Sequence, residues 1–185
     1  MRLYVGLVHF PVYNKHEETI ASAVTPMDIH DFARLGKTYG VKGFFVITPL
    51  EDQQALAHRI MRHWVSGYGA QYNRHRKEAL SLVSVTPSLD EAAGEVRAKE
   101  GVAPTLIATD AEKQKDRAIS YEAARVCIAS EEVVLLLFGT AWGLHEDVTQ
   151  KADHILDPIL GRTGYNHLSV RTAAAIILDR LVDEA

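Results

Sequence analysis

The sequence predicts an α/β fold, a three-layer sandwich built on a mainly parallel six-stranded sheet, and three observations carry that expectation. Short apolar runs of strand length alternate with amphipathic helical patterns along the whole chain, the arrangement of a sheet covered by helices. The runs are continuous and rich in Val, Leu, Ile and Phe, as strands buried on both faces require. Caps, prolines and glycines punctuate the intervals between them. The chain has 185 residues and no internal repeat, low-complexity segment or composition break. Residues 1–185 are therefore expected to form one domain, long enough to bury a substantial core.

The expected strands lie at about 3–10, 44–48, 80–85, 105–109, 133–138 and 154–159. Between the first two, Thr25-Pro26 supplies an N-cap and a proline at the first helical position, and Gly40 a stop. Thr48-Pro49-Leu50-Glu51 and Ser88-Leu89-Asp90-Glu91 have capping-box spacing, and Gly67 and Gly101 end the helices that follow. A fourth helix is expected at about 116–130. The last, about 168–182, places Val170, Ala173, Ala174, Ile177, Leu178 and Leu181 on one stripe. Cys127 falls in the inward pattern Ala123, Ala124, Cys127, Ile128, and Trp64 is expected to pack with Leu56 and Ile60.

Composition narrows the function classes. Hydrophobic content of 47% and charged content of 24% are ordinary for a soluble globular protein. No apolar run approaches the roughly 20 residues needed to span a bilayer, and Met1–Gly6 enters a strand pattern without the shape of a signal peptide. A single cysteine excludes an intramolecular disulfide and a cysteine zinc cluster. A cytoplasmic protein with no membrane association is the simplest reading. The net charge of −4 argues against a generally basic nucleic-acid surface. Phosphate contacts depend, however, on where cations cluster.

Ligands in such folds sit beyond the carboxyl ends of the strands, which gathers the loops 11–16, 110–117, 139–144 and 160–167 into one candidate region. Gly139, Gly143, Gly161 and Gly164 let backbone approach a ligand there, with N–H and C=O groups able to read an adenine edge. The alternative is four tight turns at strand ends.

Three stretches make the reading specific. Gly139-Thr140-Ala141-Trp142-Gly143-Leu144 follows the hydrophobic run 133–138. Leu160 to His167 leads into Leu168-Ser169-Val170 at the start of the last helix. Near the N-terminus, Asp28…Arg34 is followed by Gly40-Val41. Together these resemble the SPOUT, or α/β-knot, methyltransferases across nearly the whole chain. In that superfamily a glycine loop, a strand, a second loop and a Ser-Leu-Asn-Val-like helix start hold the cofactor. The chain departs from the ribose-methylating branch at Asp28 (asparagine there), at Ala141-Trp142 (no glutamate) and at Ser169 (asparagine there). It is most similar to a bacterial subfamily of unassigned substrate related to the tRNA guanine-N1 methyltransferases, which leaves base and ribose both open.

The resemblance implies a C-terminal trefoil knot, a homodimer, S-adenosylmethionine as cofactor and structured RNA, tRNA or rRNA, as substrate. It implies a cofactor site formed by Thr109, Phe138, Gly139, Thr140, Trp142, Gly143, Leu144, Ile159, Leu160, Gly161, Tyr165, Asn166, Leu168 and Ser169. Arg34 matches the family's functional arginine. Methyl transfer from a sulfonium needs the acceptor held in line and its proton removed, and His30 and Asp31 stand beside Arg34 to accept one.

The same residues admit plainer readings. His30, Arg34 and Lys37, the last a candidate RNA contact, share a helix face, and Asp31 could simply pair with Arg34 at i+3. Asn14 and Lys15 could hold substrate or form a proline-directed turn. Tyr72, Arg74, Arg76 and Lys77 belong to the aromatic and basic segment 68–77, which suits RNA phosphates and an unpaired base or an ordinary solvated loop. Two other function classes remain. One is a non-catalytic RNA- or nucleotide-binding module of the same fold. The other is a metal-dependent hydrolase using His9, His16, Asp28, His30 and Asp31, although His30 and Asp31 project about 100° apart on one helix.

Overall fold

The computed structural model of the chain describes residues 1–163 and 165–182. Gly164, one of the four loop glycines, lies outside the described residues. In chain order the elements are β1 (Arg2–Val8), β2 (Val12–Tyr13), β3 (Thr19–Ile20), α1 (Pro26–Thr38), β4 (Gly43–Ile47), α2 (Glu51–Val65), α3 (Tyr68–Tyr72), α4 (Arg74–Leu80), β5 (Val83–Thr86), α5 (Leu89–Glu100), β6 (Thr105–Thr109), β7 (Ala118–Ile119), α6 (Tyr121–Ala129), β8 (Val133–Gly139), α7 (Glu146–Thr149), β9 (His154–Leu156) and α8 (Val170–Val182).

The main sheet runs β5-β4-β1-β8-β6-β9-β7, and every neighbouring pair is parallel. It has seven strands where the sequence predicted six. The extra one, β7, occupies residues expected to begin a helix. Ser120 accepts a hydrogen bond from Ala123 N and so starts α6 at Tyr121. A two-residue edge strand is too short to leave a periodic signature.

Helices cover both faces, which makes the sandwich three-layered. On one face Ile29, Phe32 and Ala33 of α1, Ala57 of α2, Leu80 of α4, Ile128 of α6 and Ile177, Leu178 and Leu181 of α8 pack on Leu3, Val5 and Leu7. On the other, Leu89, Ala92 and Val96 of α5 and Val148 of α7 pack on Tyr4, Phe45, Leu135 and Leu137. Phe32 sits at the centre of the first face, stacked on Phe44 at 5.2 Å and edge-on to Phe138 at 5.5 Å between ring centroids.

Local chemistry sets most boundaries. The Thr25 side chain accepts from Asp28 N, with proline in the first turn of α1, and Gly40 turns the chain at φ +68°. Ser88 caps α5 and Gly101 ends it in the left-handed region. The capping box expected at Thr48 does not form. Thr48 instead extends β4, its N–H donating to Thr86 O at 3.0 Å, and α2 starts after Leu50 without a side-chain cap. Segment 68–77, for which an ordinary solvated loop was one of two readings, is helical on either side of Asn73, which ends α3 and caps α4 by accepting from Arg76 N. Cys127 is half-buried, packing at the rim of the core, and burial pushes its thiol pKa up. Trp64 also packs at that rim. Among the described residues no helix is long and apolar enough to cross a membrane.

Strand order positions the site. From β1 the chain steps outward through β4 and β5, then crosses to β6, and β8 returns between β6 and β1. The order reverses at β1 and β8, which opens a crevice beyond their carboxyl ends.

Candidate active site

Two loops meet at that reversal. Tyr13 N donates to Gly143 O at 3.1 Å and Trp142 N to Tyr13 O at 2.9 Å, zipping the glycine loop onto the β2 strand. A Cβ on Gly139 would lie 2.6 Å from Leu144 N and 2.9 Å from Gly143 C, and Gly143 has φ +108°, so the turn itself demands both glycines. The loops after β6 and β9 form a second pair, in which Asn166 Nδ2 donates to Ala111 O at 2.7 Å. A cleft of about 520 Å³ opens between the first pair and the loop after β6, lined by Tyr13, Asp110, Gln114, Arg117, Leu144 and Ile155 among others.

The predicted cofactor residues divide by environment. Phe138 is core, Ile159 packs against the core, and Thr109 Oγ1 donates to Leu137 O at 2.9 Å. Ser169 caps α8, accepting from Thr172 N at 3.2 Å. Leu144 lines the cleft. Gly161 is open, a Cβ there meeting nothing closer than 3.7 Å. Trp142, Leu160, Tyr165 and Leu168 are 66%, 75%, 70% and 43% exposed, so four large apolar side chains on these loops face solvent.

Behind the glycine loop lies a buried polar junction. His9, at the end of β1, is wholly buried, its Nδ1 2.9 Å from Ser22 Oγ, and Ser22 Oγ lies 2.5 Å from Thr140 Oγ1. Burial pushes the His9 pKa down to about 4 against the opposing pull of Asp28, so the ring is neutral at pH 7. Its Nε2 is buried without a partner. Asp28, in the first turn of α1, accepts from Arg171 Nη1 and from Thr25 Oγ1, each at 2.6 Å. Arg171, in the first turn of α8, also reaches Asp31, Nε to Oδ2 at 3.4 Å. One guanidinium thus joins the N-termini of α1 and α8.

Against this frame the predicted catalytic residues separate. Arg34 is exposed, and no hydrogen bond or ion pair engages its guanidinium among the described residues. Asp31 faces Arg171 rather than Arg34. His30 does not stay on the open face with Arg34 and Lys37. Its ring meets Trp64 edge-on at 5.4 Å with Nδ1 buried and unpartnered, and burial pushes its pKa down, aided by Arg76. Asn14 Oδ1 accepts from His16 N at 2.8 Å and Glu18 N at 3.1 Å, holding the β2–β3 turn. The five donors of the hydrolase reading form no cluster of three or more that could hold a metal among the described residues: Asp28 and Asp31 face Arg171, His9 bonds Ser22, His30 faces Trp64, and His16 is exposed on the turn.

The remaining RNA candidates lie on helical surface or turns. Lys15, Lys37 and Lys77 are exposed. Arg74 pairs with Glu78 at 3.1 Å, and Tyr72 is 76% exposed. Arg76 is half-buried, with its guanidinium 4.5 Å from the centre of the Trp64 ring. Sequence reasoning missed Arg171 and Ser22. The only signal for Arg171 was its place two residues after Ser169 in the matched stretch.

The fold and the site define a class. Residues 2–183 match the family described as SAM-dependent RNA methyltransferase, and the chain belongs to that family. It is 46% identical over 183 residues to a protein of Oleidesulfovibrio alaskensis and 41% identical over 182 residues to one of Nitratidesulfovibrio vulgaris, both named tRNA (guanine-N(1)-)-methyltransferase. It covers 99% and 98% of itself in these matches but only 42% of each relative, so it spans less than half their length. An uncharacterized protein of Aquifex aeolicus is 34% identical over 180 residues, 97% of this chain and 87% of that one. Among solved structures, TrmJ from Z. mobilis aligns over 100% of this chain and 70% of its own, with TM-score 0.64 and 15% identity. The SpoU methyltransferase AviRb from Streptomyces viridochromogenes, in complex with AdoMet, aligns over 97% of this chain and 58% of its own, with TM-score 0.58 and 17% identity. At such identities the likeness is one of fold.

Proposed function

We propose that this domain transfers the methyl group of S-adenosylmethionine to a nucleotide of structured RNA, with tRNA as the first substrate class to test because two relatives carry that name. The loops after β8 and β9 suit the cofactor: Trp142, Leu160, Tyr165 and Leu168 offer apolar surface for a purine, and loop backbone offers the polar contacts. When bound, S-adenosylmethionine supplies an electrophilic methyl group on a sulfonium. The chain's own residues do the rest. Arg34 clamps a phosphate or base edge and stabilises developing charge. Asp31, half-exposed and held by Arg171 at 3.4 Å, accepts the nucleotide's proton on its carboxylate.

The observation that carries this reading is the contrast within α1. Its first turn is fastened to α8 through Asp28 and Arg171, while the guanidinium of Arg34, about two turns on, is free of hydrogen bonds and ion pairs among the described residues. A fixed helix presenting an uncommitted guanidinium is what positioning an anionic substrate requires. The same reading includes a trefoil knot at α8, a two-fold homodimer and a cytoplasmic site of action.

Methyl incorporation into bulk tRNA and rRNA from a strain lacking the gene tests it. Arg34→Ala is expected to lower transfer about a hundredfold with cofactor affinity unchanged, and Arg34→Lys to restore little. Normal turnover by Arg34→Ala would remove the catalytic assignment.

A further inference from the structure

The molecule's most lopsided charge distribution lies away from the cofactor loops. From Gln53 to Lys77 the sequence has five Lys or Arg, three His and no Asp or Glu, in a chain with 24 carboxylates and a net charge of −4. Structure sorts these cations onto one surface. On α2, Ala57 is buried and Ile60, Met61 and Trp64 turn inward, which leaves His58, Arg59, Arg62 and His63 exposed at helical spacing. On α4, Ala79 and Leu80 are buried while Arg74, His75 and Lys77 are exposed.

Between these helices α3 sets out two aromatic rings. Tyr68 and Tyr72 are 72% and 76% exposed, their centroids 6.3 Å apart and their planes 20° from parallel. An exposed stacked pair with cations on either side matches the chemistry of an unpaired base flanked by phosphates. Arg76 has a different part. Its guanidinium lies over Trp64, the Trp64 ring meets His30 of α1 edge-on, and a Cβ on Gly69 would come within 2.6 Å of that ring. The platform is therefore braced against the helix that carries Arg34.

We propose that the outer face of α2, α3 and α4 docks a single-stranded stretch of the RNA substrate, with Tyr68 and Tyr72 stacking on an unpaired base and Arg59, Arg62, Arg74 and Lys77 meeting its phosphates. Arg76 is a positioning residue that holds Trp64. This rests on the reading of the domain as an RNA methyltransferase, and it commits that reading to substrates with an unpaired loop.

The test measures binding of a fluorescent RNA hairpin with an unpaired loop and of a fully paired RNA duplex, alongside S-adenosylmethionine affinity and single-turnover methylation at saturating RNA. The paired change Tyr68→Ala with Tyr72→Ala is expected to weaken hairpin binding at least tenfold and duplex binding much less. Tyr68→Phe with Tyr72→Phe should retain hairpin binding, because the ring and not the hydroxyl stacks. Arg59→Gln with Arg62→Gln should weaken both RNAs and flatten the salt dependence. Hairpin affinity unmoved by the tyrosine and arginine changes overturns the docking surface, and so does an equal loss for hairpin and duplex in the tyrosine variant. Preferential binding of this face to phosphatidylserine vesicles overturns it as well. Methylation that persists at saturating RNA while the tyrosine variant loses hairpin affinity supports it. Wild-type protein that binds hairpins through this face yet never methylates RNA would overturn the catalytic reading and leave the docking surface standing.

Discussion

The polar junction behind the glycine loop and the basic face of α2–α4 hold similar residue types under opposite conditions. In the junction, His9 is bonded to Ser22 and Ser22 to Thr140, Asp28 is bonded to Arg171, and His9, Thr140 and Asp28 are buried. On the basic face, the side chains of Arg59, Arg62 and Lys77 stand exposed with no side-chain hydrogen bond or ion pair among the described residues. Buried polar groups must find partners or cost free energy, so the junction's bonds fix the geometry of three chain segments. Exposed cations need no internal partner. The difference teaches that charge in this protein builds structure where it is internal and stays uncommitted where it is not.

The largest expected effect breaks the junction. Removing one partner of a buried ion pair leaves the other charge unpaired. Asp28 is 8% exposed and Arg171 29%, so partial hydration moderates the loss. Asp28→Ala is expected to cost about 2–4 kcal/mol by chemical denaturation. Arg171→Ala should cost less, and the double variant less than the sum of the two. Strict additivity would mean that the pair does not couple α1 to α8.

Next in size is the pH response of His9. Its pKa falls to about 4 in the folded protein, below the ordinary value near 6.5. The unfolded chain therefore binds the proton first as pH falls. Stability is complete above about pH 6.5 and drains as the solution is acidified toward pH 4, by roughly 2 kcal/mol between pH 7 and 4.5. His9→Asn should flatten this dependence while lowering stability at pH 7. An identical pH slope in the variant would detach the effect from His9.

How much of this was legible in the sequence follows the range of the interactions. The strand at Thr105–Thr109, the Thr25 and Ser88 caps and the glycine stops are local, and the chain displays them. The Arg171–Asp28 bond joins positions 143 apart, and periodicity carries no trace of it. Likewise, nothing nearby signals that Asp31 turns to Arg171 instead of Arg34, or that His30 turns inward to Trp64. Arg34 was singled out by resemblance, and the glycine loop by its place beyond a strand end as well. The basic face was half seen: the segment 68–77 drew attention, but its continuation through Arg59 and Arg62 depends on which side of α2 faces water.

The smallest expected effect sharpens the comparison from the other side. Arg59, Arg62 and Lys77 make no bond whose loss would be felt, and Arg74 makes one exposed i,i+4 pair with Glu78 at 3.1 Å. Glutamine at any of these four should shift stability by less than about 0.5 kcal/mol. Combining them should add little and could raise stability slightly, because like charges on neighbouring helices repel. Arg76→Gln is the internal control. Its guanidinium covers the Trp64 ring at 4.5 Å in a half-buried setting, so its loss should cost more, about 1 kcal/mol. Thermal unfolding of the five single variants would order them. If Arg76→Gln is as silent as the rest, its contact with Trp64 holds nothing in place. If Arg62→Gln costs as much as Arg76→Gln, the α2 surface is part of the scaffold, and the division between structural and uncommitted charge fails there.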